Sequence, residues 1–330
     1  MATDTTGQVR ARLFDADRDD RVISRDEIHG IRPTDRQLLW IDVAGELDRD
    51  ALDRIVDGLA FDDRTRAVLE RSEVGPLVSL HKNYLHIRIA ADPNAADPAR
   101  ATWLDLVAGG GVTFSRHDEA IPFLRDVDDR IQRDTALGLI SAAAFFGTIV
   151  DAVITSYHHA VDAIESDVDR LDALSLRGDD RSDLLGELVR CRRRIARLRR
   201  LLADHRSVFA ALASPDVATF VEDKETAAVF ASLNGRFEGA LSAVEDAREG
   251  LIGSFDVFMS RTAQRTNEVM KVLTLTTVLL LPGAMLAGLL GMNVSVPLDQ
   301  HSPWSFWLVV GTIVVLAVVI VMAARARRWL

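Results

Sequence analysis

Small and oxygen-bearing side chains dominate a set of positions spaced three or four residues apart late in the chain, Asp256, Ser260, Ala263, Asn267, Met270, Thr274, Thr277, Leu281, Ala284 and Gly288. At helical spacing these positions share one face. Between them stand apolar residues such as Val272, Leu273, Val278, Leu279 and Leu280. In lipid, small and polar side chains turn toward a helix partner or a water-filled path. Two readings follow. In the first, small residues serve ordinary helix–helix packing. In the second, several copies of the helix enclose a pore, with Asp256 and Asn267 as rings of oxygen atoms and Met270 and Leu281 as apolar constrictions. Oxygen ligands without Cys or His suit a hard cation. Mg2+ gives up its water shell reluctantly, and a ring of neutral amides can bind that shell without stripping it. Asn293, beyond the outer end of the stripe, is placed for this role, and Gly291 allows a tight turn at the helix end.

The elements that must position this stripe are two apolar segments, 272–292 and 304–324, each uncharged and long enough to span a bilayer. Arg261, Arg265 and Lys271 precede the first; Arg325, Arg327 and Arg328 follow the second. The connecting segment Val294–Pro303 has no Lys or Arg. The basic flanks predict a multi-pass protein of the plasma (inner) membrane with both termini cytoplasmic. Trp304, Trp307 and Trp329 lie near the ends of the second segment, where aromatic belts form. No proline occurs between Pro215 and Pro282. That predicts one continuous helix running into the first span, of a length that calls for association with other copies.

The remainder of the chain sets the fold class. Net charge is −10, from 49 acidic and 39 basic residues, which argues against a nucleic-acid partner. A single cysteine, Cys191, excludes an intrachain disulfide and a cysteine-based metal site. The N-terminal segment has no apolar core of signal-peptide length, so everything ahead of the two spans is expected in the cytosol. Residues 1–35 read as a polar tail. LLWIDV (Leu38–Val43) reads as a buried strand, VSLHKNYLHIRIAA and TWLDLVAGGGVTFSRH as strands with a turn at Gly109–Gly111, and LDRDALDRIVDGLAF as a helix. The expectation is an α+β cytosolic domain (α/β/α sandwich-like) over 36–135 and a helical and stalk domain over 136–270. A transmembrane hairpin with a basic tail then fills 271–330.

Several motifs are weighed and set aside. Asp15–Glu27 places acids at alternate positions as a calcium loop does, but Asp20 stands where the turn needs glycine; a solvated acidic segment is expected. Adjacent His158 and His159 face different directions on a helix. The basic run Arg190–Arg200 alternates with Leu188, Ile195 and Leu198 and reads as a packing helix whose arginines meet acids on neighbouring helices. Contact with anionic lipid is its alternative. No arrangement of nucleophile and base suggests an enzyme, and no cofactor is expected.

TNEVMKVLT (266–274), LLLPGAMLAGLLGMN (279–293) and the tail ARARRWL (324–330) together resemble the CorA family of divalent-metal transporters. That family closes its first membrane helix with Gly-Met-Asn, carries a proline in mid-helix and ends in a basic tail. The resemblance implies a homopentamer with a CorA-like cytosolic funnel: a long stalk helix, two transmembrane helices and a central pore. Gly291, Met292 and Asn293 would form the outer mouth and selectivity ring, and Asn267 an inner hydration ring. Met270 and Leu273 would be the apolar gate, Asp256 the acidic ring and Pro282 the helix kink. Metal would be met by Asn293, Asn267 and Asp256. The transported ion implied is Mg2+, with Co2+ or Ni2+ as companions. Zn2+, with proton coupling, is the alternative from the ZntB-like branch, because the loop VSVPLDQHSPW departs from the magnesium branch's usual Met-Pro-Glu. In the stalk, Ser232 stands where an acidic regulatory ligand is expected, which weakens the expectation of closure by cytosolic Mg2+. A non-conducting membrane sensor or scaffold is the rival from another class.

Overall fold

The computed structural model describes residues 8–45, 53, 55, 59–71, 75–93, 102–124, 140–177, 183–221, 223–290 and 303–326. These divide into two compact units: one holds nearly all described residues through Ser254, the other those from Phe255 onward together with Ser175, Leu176 and Arg177.

The first unit is built on a seven-stranded sheet of described strands in the order β2-β1-β3-β7-β6-β5-β4. The strands are β1 (Gln8–Asp15), β2 (Arg21–Ile23), β3 (Gln37–Ala44), β4 (Leu77–Leu80), β5 (Leu85–Ala90), β6 (Trp103–Gly109) and β7 (Val112–His117). All neighbours pair antiparallel except β3 and β7, which run parallel with Leu39 opposite Val112. The sheet is thus two antiparallel halves, β2-β1-β3 and the meander β4–β7, joined along one parallel seam. The chain crosses between them through α1 (Asp63–Arg71) to the far edge. The expected Gly109–Gly111 turn is a two-residue hairpin, with Gly110 and Gly111 at φ +57° and +77°. Those angles suit glycine.

Side-chain alternation gives each face its own cover. On one face Ala11 and Leu13, Leu39, Ile41 and Val43, Val107 and Phe114 pack with Ile28 of a short 3₁₀ helix (Arg25–Gly30), Ile55 and Leu69. On the other, Phe14 and Trp40 meet Phe145 of α2 (Ala142–Arg177), the Trp40–Phe145 ring centroids lying 5.4 Å apart. α2 packs with α3 (Leu184–Leu212) and the first part of α5 (Lys224–Leu290) through Tyr157, Phe209 and Phe237, the last two rings stacked at 4.1 Å. The layers are therefore helix, sheet, helix. Of the expected helix at 47–61, only 53, 55 and 59–61 lie among the described residues.

Residues from Gln8 are not the expected tail. QVRARLFD alternates, sending Val9, Ala11 and Leu13 to the core and Arg10 and Arg12 to the opposite face, and β1 pairs with the whole length of β3. The acids that follow hold the chain locally. The Asp15 carboxylate accepts from the Gln37 side-chain amide at 2.7 Å, Asp17 takes both nitrogens of the Arg36 fork at 2.8 Å, and Glu27 accepts from the Ser24 N–H at 3.2 Å. Among the described residues no three His, Cys, Asp or Glu side chains are grouped to hold a metal.

A second difference lies after Pro215. In place of one helix there are two, α4 (Pro215–Val221) and α5. Asp223 starts the second: its carboxylate accepts from the backbone N–H groups of Glu225 at 3.1 Å and Thr226 at 3.0 Å, an N-cap that ends one helix and begins another.

The sheet is tied to the helical layer at Ala90. The Tyr157 hydroxyl donates to the Ala90 carbonyl at 2.5 Å, and the Ala90 N–H donates to His205 Nε2 at 2.9 Å. His205 Nδ1–H in turn donates to the Leu201 carbonyl at 2.7 Å. The imidazole must be neutral to accept from Ala90, and burial holds it below its ordinary value of 6.5. Its contribution to stability is therefore present above pH 6.5 and lost as pH falls from there through the lowered folded value. Thermal melts across this range should show an acid limb that flattens in His205→Gln.

Candidate functional site

The stripe lies on α5. Asp256, Asn267, Met270, Thr274, Thr277, Leu281, Ala284 and Gly288 are all exposed in the protomer, and Met270 and Leu281 are 55% and 65% exposed. Asp256 and Asn267 have no hydrogen-bond or ion-pair partner among the described residues. The Thr277 hydroxyl donates to the Leu273 carbonyl at 2.9 Å and so is satisfied within its own helix. Leu273, 59% exposed, sits at the margin of the stripe, between Met270 and Thr274.

A different face of α5 packs against the second apolar helix, α6 (Pro303–Ala326). Leu275, Leu279, Pro282, Gly283 and Leu286 are partly covered, and a Cβ added at Gly283 would lie 3.5 Å from the Ile313 side chain. At about 100° per residue this covered face points well away from the stripe. Packing within the chain uses Leu275–Leu286, and the small and polar positions stay uncovered. Sequence reasoning missed this packing face. Its available signal was Gly283, a small residue framed by leucines at helical spacing. Pro282 lies on the same face, and α5 continues through it to Leu290. The ring removes the hydrogen bond that would otherwise reach the Val278 carbonyl.

Both helices of the hairpin are long and apolar enough to cross a membrane, with mean hydropathy 2.0 for the α5 segment and 2.9 for α6. Gly291, Met292 and Asn293 lie outside the described residues.

Two motifs set aside in the sequence make packing contacts. His158 lies within hydrogen-bond reach of the Arg236 carbonyl while His159 faces solvent. In the basic run, Arg190, Arg194 and Arg199 meet Asp183, Asp167 and Glu245. Ion pairs this exposed contribute about 0–1 kcal/mol each.

One buried polar group had escaped notice. Trp40 Nε1–H donates to Ser115 Oγ at 3.0 Å, Ser115 Oγ–H donates to Asp42 at 2.6 Å, and His117 Nε2 lies 3.3 Å from the same carboxylate oxygen. His117 Nδ1 is 2.6 Å from the Glu119 carbonyl and donates there, so Nε2 meets Asp42 best as an imidazolium. Burial alone would depress the imidazole. Hydrogen bonding to Asp42 and its charge outweigh that and raise the pKa.

A sheet-and-helix domain, a long helix and two apolar C-terminal helices define a membrane protein with a large extramembrane part. Within that class the chain belongs to the family of CorA-like Mg2+ transporter proteins, which matches residues 35–325. The cobalt/magnesium transport protein CorA of Thermotoga maritima is 27% identical over 183 residues, 56% of this chain and 51% of that protein. The divalent cation transporter CmaX of Pseudomonas aeruginosa is 33% identical over 160 residues, 48% of this chain and 45% of that one. The chain thus matches about half the length of these curated relatives. The solved CorA magnesium transporter from Methanocaldococcus jannaschii aligns over 100% of both chains with a TM-score of 0.76 at 21% identity, a likeness of fold.

Proposed function

We propose that the protein conducts divalent cations, Mg2+ first, across the plasma membrane through a pore lined by the stripe faces of several α5 helices, without enzymatic chemistry. One observation carries this reading: the face holding Asp256, Asn267, Thr274, Thr277 and Gly288 is uncovered in the protomer, while another face packs on α6. Family membership and relatives named for cobalt, magnesium and divalent-cation transport support it. Self-association, as a homopentamer, closes the pore. The basic flanks support cytoplasmic termini, and the bilayer surrounds the outer faces of the hairpin. Asn293 and Asn267 bind the hydrated ion through amide oxygens, Met270 and Leu273 form the apolar gate, and Asp256 concentrates cations below it. The membrane potential and concentration gradient drive flux.

The test is uptake into proteoliposomes, comparing Mg2+ with Zn2+, with and without a pH gradient. The proposal expects Mg2+ flux indifferent to pH and reduced at least about tenfold in Asn293→Ala or Asn267→Leu, a rise in barrier of about 1.4 kcal/mol or more. Zn2+ flux that grows with the proton gradient would replace Mg2+ by Zn2+. Absence of flux for both ions in intact oligomers would favour a non-conducting sensor.

A further inference from the structure

The basic run on α3 contains a feature that ion pairing does not use up. Arg190, Arg193, Arg194 and Arg197 recur at i, i+3, i+4 and i+7 and so share one helical face. With Arg170 of α2 they line a cavity of about 620 Å3 between the two helices. Leu171 and Cys191, both buried, also line it. Two carboxylates are present and both are engaged: Arg194 donates to Asp167 at 2.9 Å and Arg170 to Glu187 at 2.7 Å. Arg190 reaches out to Asp183 at 2.8 Å. Arg193 and Arg197 have no ion-pair partner among the described residues.

Three of the five arginines are paired, so Arg193 and Arg197 leave the cavity two uncompensated positive charges among the described residues. On a convex, solvated face such charges spread apart; here they line one concavity, where an anion would relieve their repulsion. Planar guanidinium forks match phosphate oxygens in pairs, which a chloride cannot do; a single carboxylate has oxygens for one fork, whereas linked phosphates have them for several. From Arg190 to Arg197 the row extends about 10 Å along the helix. That is longer than one phosphate and comparable to a chain of linked phosphates. A lipid surface presents its headgroups in a plane, and a groove between two helices is poorly shaped to meet it.

We infer that this groove binds a polyphosphate anion, either pyrophosphate or the triphosphate chain of a nucleotide, with Arg193 and Arg197 as the anchoring forks. The anion in question is the metal-free form. A bound Mg2+ neutralises the charge that the arginines read, and the groove's own carboxylates are already committed to arginine.

Calorimetric titration of the full-length protein in detergent, in metal-free buffer, tests the site with two probes, pyrophosphate and ATP. Saturable binding of at least one is expected. It should weaken at least about tenfold in Arg193→Glu/Arg197→Glu, where two charge-assisted contacts become repulsive. Arg192→Glu/Arg199→Glu makes the same charge change on the same helix, on the side away from the groove, and should keep the parent affinity. If charge reversal impairs folding, as judged by a melt, Arg193→Gln/Arg197→Gln serves in its place. Absence of saturable binding for both probes overturns the inference, as does equal weakening in the groove and control variants, which marks diffuse attraction. Capture by phosphatidylglycerol vesicles that depends on Arg193 and Arg197, with neither soluble probe binding, overturns it in favour of a membrane contact.

Discussion

Gly288→Leu is expected to lower cation uptake in proteoliposomes at least about tenfold while yield, melting temperature and oligomer size stay those of the parent. The reason lies in what surrounds the position. A Cβ added at Gly288 meets nothing within 4 Å in the protomer, so one chain accommodates a larger side chain without strain. If copies of the stripe face a common path, the same leucine appears once per copy and narrows it, and flux falls at least about tenfold. Gly283→Leu, five residues earlier on the same helix, gives the opposite pattern. Its Cβ would already stand 3.5 Å from Ile313, so the rest of a leucine side chain overpacks the contact with α6, at a cost of about 1–3 kcal/mol. The loss there is of folded, inserted protein, read as yield and melting temperature, with flux per folded molecule preserved. Flux that survives in well-assembled Gly288→Leu would remove the stripe from the conduction path.

Asp42→Ala is the second large effect, and it falls on stability. The carboxylate is 7% exposed and accepts from Ser115 while facing His117, itself 4% exposed. Removing one partner of a buried charged pair costs about 3–5 kcal/mol, because the other is left uncompensated. Asp42→Asn separates charge from hydrogen bonding, since the amide oxygen can still accept from Ser115. The pH dependence identifies the pair. Because His117 is raised above its ordinary 6.5 in the folded state, its contribution is fully present below pH 6.5 and lost as pH rises through the folded value. This limb has the opposite slope to that of His205, and the parent should be most stable between them. In Asp42→Asn the alkaline limb disappears and the acid limb due to His205 remains. Thermal melts followed by circular dichroism as a function of pH would show this, and an unchanged alkaline limb would count against the pair.

The sequence made some of this legible and hid the rest for identifiable reasons. Strands β3 to β7 are apolar runs or lie against glycine and polar turns, and their periodicity outweighs everything else. β1 has the same two-residue period, yet its alternate arginines lower its hydropathy, so composition suggested a tail where alternation was the better guide. The break at Asp223 was written as an acid three residues ahead of a threonine; the absence of proline drew attention away from a cap that needs none. The stripe on α5 was readable because lipid penalises polar side chains, but which face meets α6 depends on Gly283 approaching Ile313, a contact between distant segments. The Trp40–Ser115–Asp42–His117 group is held by hydrogen bonds between residues 73 and 75 apart in sequence, and no local pattern announces it. Conversely, the arginines of α3 were plain in the sequence. Only the structure divides them into those that meet acids and those that face a cavity.

The parallel seam between β3 and β7 also bears on how the chain is made. Asp42 and Ser115, neighbours across it, are 73 residues apart in sequence. At a synthesis rate of about 5–20 residues per second, β3 waits roughly 4–15 s after leaving the ribosome before its parallel partner exists. During that interval β1 and β2 can pair on one side only. The other edge of β3, with apolar side chains on both faces, remains open to any strand that arrives. The nascent chain is thus most vulnerable to mispairing before its apolar C-terminal helices are synthesised, and a chaperone that shields Gln37–Ala44 would act at that point.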